Sequence, residues 1–140
     1  MAGSSRERQA PQRLILDSGA VIALARRDAR TRAFLARALE LGALVEIPVV
    51  VVAETLRGGP RDAPVHRVLK AVGSVPEARE VHGRTAGRLL GAARSAHTVD
   101  ALVVAHAVEA GGAHVLTGDR EDLETLATPH PEVHIHPLRE

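Results

Sequence analysis

Cysteine, tryptophan and tyrosine are missing from this sequence, Phe34 is the one aromatic of the Phe, Tyr and Trp set, and Lys70 is the one lysine. The lack of cysteine excludes disulfide scaffolds, thiolate nucleophiles and cysteine-ligated zinc, and makes a cytoplasmic setting the default expectation. The lack of aromatic rings excludes a stacking platform for exposed bases and leaves an aliphatic core as the way to bury surface. No apolar run approaches the roughly 18–20 residues that span a bilayer, and the polar, arginine-bearing start from Met1 to Arg13 lacks the apolar centre of a signal peptide, so neither membrane insertion nor export is expected. An excess of one charge is also absent. Eighteen basic and seventeen acidic residues give a net charge of +1, so the chain as a whole is not a basic surface for nucleic acid.

What is present suits one folded unit. A hydrophobic share of 45% and a charged share of 25% are ordinary for globular proteins, and 140 residues suffice for one core. We expect a flexible polar leader over 1–13 and a single domain over 14–140. Leu14 to Leu16 reads as a buried strand closed by Asp17-Ser18-Gly19, and Leu44 to Ile47, His114 to Thr117 and Val133 to His136 as further strands, with a weak one around Ser74 to Ala78. Helices are expected over Ala20 to Ala25, over Thr31 to Leu41 with Phe34, Leu35, Ala38 and Leu41 on one face, and over Val49 to Leu56 behind Pro48. Val65 to Val72, Val81 to Ala93 and Asp122 to Ala127 complete that set, together with Val99 to Ala110, which Thr98 is expected to cap and Gly111-Gly112 to end. The Val99 helix is apolar on nearly every side and so should be buried. Strands alternating with helices predict an α/β fold: a short, mostly parallel central sheet with helices on both faces, whose ligands sit outside the carboxyl ends of the strands.

That rim collects acids. Asp17 ends the first strand, Asp119 follows the third of the firm strands, Asp100 lies in the first turn of the buried helix, and Glu54 interrupts the apolar Val49-Val50-Val51-Val52-Ala53 helix. Each has an ordinary reading alone, as an N-cap, a first-turn acid or an exposed helix position. Gathered in one partly buried place, however, carboxylates repel, and a divalent cation is the usual remedy. Oxygen ligands without cysteine or a histidine motif suit hard cations, hence Mg²⁺ or Mn²⁺, and the chemistry of such a site is phosphodiester hydrolysis.

Leu14-Ile15-Leu16-Asp17-Ser18-Gly19-Ala20, Ala53-Glu54, Thr98-Val99-Asp100-Ala101-Leu102-Val103-Val104-Ala105-His106-Ala107 and Val115-Leu116-Thr117-Gly118-Asp119, in this order and spacing, resemble a PIN domain of the VapC-type toxins. The resemblance runs from about Leu14 to Pro137. It implies that Asp17, Glu54, Asp100 and Asp119 are the catalytic, metal-holding quartet of an endoribonuclease, and that Ser18 and Thr117 are small hydroxyls beside the metal. It also implies a VapB-type antitoxin partner laid over the acidic pocket, a homodimer and an RNA substrate. A housekeeping PIN nuclease, or a PIN-fold module that binds RNA or protein without cutting, are the other readings within this fold. Two other classes are weakened by a missing residue: a phosphoacceptor receiver domain needs a lysine after its last strands, and a haloacid-dehalogenase-like phosphatase needs an aspartate where Gly19 stands.

Several residues carry two readings. Thr117 is either a site hydroxyl or a strand-forming residue. Asp122 is either a further site acid or, the favoured reading, the partner in a helix cap three residues after Asp119. Arg26, Arg27, Arg30, Arg32 and Arg37 read as a solvated helix face, while Arg84 and Arg88, one turn apart, and Arg57, one turn after Glu54, are candidate contacts for RNA phosphate or antitoxin. His130, His134 and His136 read as edge-strand histidines, with His134 and His136 on one face. His106 reads as a hydrogen-bonded core residue.

Overall fold

A computed structural model of the chain describes residues 12–139. The elements run β1 (Arg13–Leu16), α1 (Ser18–Ala25), α2 (Ala29–Glu40), β2 (Leu44–Glu46), α3 (Val49–Thr55), a 3₁₀ turn (Pro60–Asp62), α4 (Ala63–Val72), α5 (Glu80–Ala93), α6 (Thr98–Glu109), β3 (Ala113–Thr117), α7 (Arg120–Ala127) and β4 (Val133–Pro137). The four strands form one sheet in the order β2-β1-β3-β4, parallel throughout. Of the expected leader, Arg13 belongs to β1 and the carbonyl of Gln12 accepts from Leu44 N at 2.7 Å; residues 1–11 lie outside the described residues.

Strand order fixes where the helices lie. The chain leaves β1 toward β2 on one side and leaves β3 toward β4 on the other, and right-handed crossovers in opposite directions place helices on opposite faces. Phe34 of α2 lies 5.4 Å from the ring of His136, on the face that also carries His114 and His134. On the other face, His106 of α6 sits beside Glu46 of β2. Helix α6 is the central helix, with Ala101, Val103, Val104, Ala105 and Ala107 all buried, as its all-round apolar pattern predicts. The core is aliphatic: Ile15, Leu16, Ile47, Val51, Val115, Leu116, Leu123 and Leu126 are almost fully enclosed.

Several boundaries differ from the sequence reading for identifiable reasons. Ser74 to Ala78 is not a strand. A single bridge joins Ser74 to Glu46, and Pro76, with no N–H to donate, stops the ladder from extending. His97 rather than Thr98 is the N-cap of α6, because its carbonyl already accepts from Ala101 N at 3.0 Å and Thr98 falls inside the first turn. Leu41 is exposed rather than packed beside Phe34, since α2 ends at Glu40 and the chain turns away through Gly42 at φ 79°. Gly111 and Gly112 do end α6, at φ 86° and 116°. His106 is largely buried and stacks on His82 at 5.2 Å, and among the described residues its Nε2 reaches Glu46 Oε1 only at 3.6 Å, an ion-pair approach longer than the short hydrogen bond expected of a core histidine.

Candidate active site

The two central strands, β1 and β3, send their chains in opposite directions, and a crevice opens at their carboxyl ends. Two glycines allow the turns there to touch. A Cβ on Gly19 would lie 3.0 Å from both Cα and N of Gly118, so the β1–α1 and β3–α7 turns reach this distance because neither carries a side chain at the contact. The resulting cleft of about 380 Å³ is lined by Asp17, Ser18, Gly19, Glu54, Val99, Asp100, Val103, Gly118 and Asp119.

Each acid is placed by a different element. Asp17 follows β1 as the N-cap of α1, and its Oδ1 accepts from Ala20 N at 2.9 Å. The Thr117 hydroxyl, fully buried at the end of β3, donates to Asp17 Oδ2 while accepting from Asp119 N at 2.7 Å. One threonine therefore fixes two of the acids, and the site reading of Thr117 fits the geometry as well as the strand reading does. Asp100 stands in the first turn of α6, and Asp119 occupies the N-cap position of α7. Glu54 lies one residue before the end of α3, not mid-helix, and accepts from the Ser18 hydroxyl.

The electrostatics match this crowding. Burial pushes the Asp17 carboxyl above its ordinary range, against the bonds from Thr117 and Ala20 that favour its ionised form. Asp100 is pushed up to about 7, first by burial, then by its contact with the Asp119 carboxyl and by the charges of Asp119, Asp17 and Asp122. Among the described residues, no arginine, lysine or histidine lines the cleft to balance these charges. A crowded all-oxygen donor set with no positive side chain among these lining residues fits a hard divalent cation, which Asp17, Asp100 and Asp119, with Glu54 facing them, could hold.

The sequence matches the PIN domain family over residues 14–128. This chain belongs to the PIN-domain family. No curated protein matches it. Its PIN fold is similar to that in VapBC2 from Rickettsia felis, solved bound to a DNA fragment from its promoter, with a TM-score of 0.71 at 12% identity over 90% of this chain and 98% of that one. VapBC-1 from nontypeable Haemophilus influenzae gives a TM-score of 0.71 at 13% identity, over 92% of this chain and 100% of that one. FitAcB from Neisseria gonorrhoeae gives 0.64 at 19% identity, over 89% and 97%.

Not every residue singled out in the sequence reaches the cleft of this PIN domain. The capping reading of Asp122 does not hold, because the Asp119 N–H that it would have to bond is already given to Thr117, and Asp119 makes no cap bond of its own. Asp122 Oδ2 instead lies 3.7 Å from His97 Nε2. The guanidinium of Arg57 donates to the carbonyls of Ala53 and Leu56, not to Glu54. On α5, Arg84 pairs with Glu80 at 2.6 Å and Arg88 donates to Thr85 at 2.9 Å, and neither lines the cleft. His134 and His136 share a face of the edge strand as expected, and His114 of β3, which the sequence pattern does not single out, stacks on His134 and shares a 2.8 Å hydrogen bond between ring nitrogens with His136. His97 was missed as well. Its signal was the spacing: His97 stands three residues before Asp100 and Asp122 three after Asp119, which puts each pair on one side of a helix start.

Proposed function

We propose that this PIN-domain chain is an endoribonuclease dependent on a divalent metal, Mg²⁺ or Mn²⁺, and that it acts as the toxin of a VapBC-type toxin–antitoxin pair. The observation that carries this reading is the meeting of Asp17, Asp100 and Asp119 in one cleft with Glu54 at its rim and no positive side chain among them. When bound there, the cation supplies an activated water and charge on a phosphate oxygen. The chain's own residues do the rest. Thr117 and the α1 amide lock the orientation of Asp17, so that its carboxylate is held before substrate arrives. The exposed Glu54, steadied by Ser18, faces the cleft from α3, where its carboxylate takes a proton from the attacking water.

The VapBC and FitAB assemblies in which similar folds occur support a VapB-type antitoxin as partner, while RNA as substrate and a homodimeric state are inferred from the family resemblance alone. Among the described residues no helix is long and apolar enough to cross a membrane. The test is cleavage of total RNA by the purified protein with Mg²⁺, Mn²⁺ or EDTA, beside the Asp100→Asn variant. Cutting that needs both the metal and Asp100 supports the nuclease. Cutting retained in full by Asp100→Asn would remove the carboxylate assignment, and binding of RNA without cutting under any metal would favour a non-cleaving module.

A further inference from the structure

Beside the cleft, but not lining it, His97 and Asp122 stand next to Asp100. One ligand atom from each of the three residues lies within 4.8 Å of the others. The His97 ring is 57% exposed and Asp122 is half-buried, so both reach solvent from which a cation can enter. At 3.7 Å the His97 Nε2–Asp122 Oδ2 approach is an ion-pair distance too long for a hydrogen bond, so the imidazole stands near the carboxylate without being tied to it, while the main-chain N–H of His97, given to Ser95 Oγ at 3.1 Å, fixes the chain at the start of α6. Both residues are held by rigid backbone: His97 as the N-cap of α6, Asp122 in the first turn of α7.

We infer that His97, Asp122 and Asp100 form a second cation position, in which Asp100 is shared with the position held by Asp17 and Asp119. The inference rests on the metal-dependent reading above and adds to it a ligand that the acidic quartet lacks. An imidazole nitrogen changes the selectivity of such a site. Mg²⁺ strongly prefers oxygen ligands and sheds water reluctantly, whereas Mn²⁺ and later first-row ions accept nitrogen readily. The first position therefore takes either ion and the second discriminates, filling with Mn²⁺ and not with Mg²⁺. The two helix starts also bring their partial positive charge to the same three residues, which keeps the carboxylates ionised beside the metal.

The test uses the full chain and Mn²⁺ alone. Free Mn²⁺ is counted by its electron paramagnetic resonance signal during titration of the wild type, His97→Ala, Asp122→Asn and Asp100→Asn, and electron spin echo modulation then reports whether a ¹⁴N nucleus lies on the bound ion. The wild type is expected to bind two Mn²⁺ per chain with ¹⁴N modulation. His97→Ala is expected to lose the modulation and to weaken one of the two at least about tenfold while leaving the other unchanged. Asp122→Asn should weaken the same one, and Asp100→Asn both. Replacing Mn²⁺ by Mg²⁺ should leave one ion per chain in the wild type and in His97→Ala alike. A wild type that binds one Mn²⁺, or ¹⁴N modulation that persists in His97→Ala, overturns the second position. If RNA cutting by the same preparation still depends on Asp100 and metal, the nuclease reading survives that failure; if cutting is also absent, both fall.

Discussion

Replacing Asp100 by asparagine should make the metal-free protein more stable while removing its activity. In the folded chain the Asp100 carboxyl ionises near pH 7 instead of 3.8, because burial and three neighbouring acids oppose its charge. The unfolded chain loses that proton near 3.8, so between about pH 4 and pH 7 the folded state holds a proton that the unfolded state does not, and stability falls as the pH rises through this window. A shift of that size amounts to about 4 kcal/mol for a wholly buried group. Asp100 is about half-exposed and screened by water, so about 1–2 kcal/mol is the reasonable expectation. In a chain of this length that is about 3–6 °C in Tm. In EDTA at about pH 7.5, Asp100→Asn should therefore melt 3–6 °C or so above the wild type, with the two curves converging near pH 4. Saturating Mg²⁺, at about 100 times its Kd, should raise the wild type by about 2.7 kcal/mol and the variant by much less, reversing the order. Differential scanning calorimetry at the two pH values, with and without metal, checks all four arms. Equal or lower stability of the variant in EDTA at neutral pH would refute the repulsion argument, whatever the activity data say.

Other perturbations separate the parts of the site. Thr117→Val keeps the strand and the volume but strips a donor from Asp17 and an acceptor from the Asp119 amide; a loss of about 1–3 kcal/mol in urea unfolding and weaker Mg²⁺ binding by calorimetry are expected. Gly19→Ala places a methyl 3.0 Å from the Gly118 backbone and should force the two turns apart, whereas Gly118→Ala meets its nearest atom, Gly19 Cα, at 3.4 Å and should be milder. Ribonuclease rates of the two variants, expected to fall further for Gly19→Ala, are the comparison, and the reverse order would contradict the close-approach argument. His106, His114 and His136 are all held below the ordinary histidine range, chiefly by burial. The unfolded chain takes up protons at these positions first, so stability should decline as the pH falls below about 6.5, and His114→Gln with His136→Gln should flatten the fall in Tm measured between pH 7 and 5.

The strand ends and the order of the acids were legible because a buried strand followed by a turn leaves a local trace: Leu14-Ile15-Leu16 before Asp17, and Val115-Leu116-Thr117 before Gly118-Asp119. The all-round apolar stretch from Val99 to Ala110 likewise announced the central helix α6. What stayed hidden depends on partners far along the chain. Thr117 reads as an ordinary strand residue until β3 is laid beside β1 and its hydroxyl meets Asp17, one hundred positions earlier. Asp122 reads as a cap until the Asp119 amide is seen to be engaged by Thr117. His106 was placed in the core, but that its Nε2 falls short of Glu46 is a matter of tenths of an ångström between two elements, which no periodicity encodes. Ser74 to Ala78 has the look of a short strand, but Pro76 offers no N–H to a ladder, and pairing ends at the single bridge from Ser74 to Glu46.

The central claim is that the crevice between β1 and β3 holds a divalent cation between Asp17, Asp100 and Asp119. Crystals of the full chain equilibrated with Mn²⁺, recorded at the manganese absorption edge, test it directly. An anomalous peak among those three carboxylates, absent from crystals of Asp100→Asn, is the expected result. Saturating Mn²⁺ that leaves the crevice empty, or that binds only elsewhere on the chain, would contradict it.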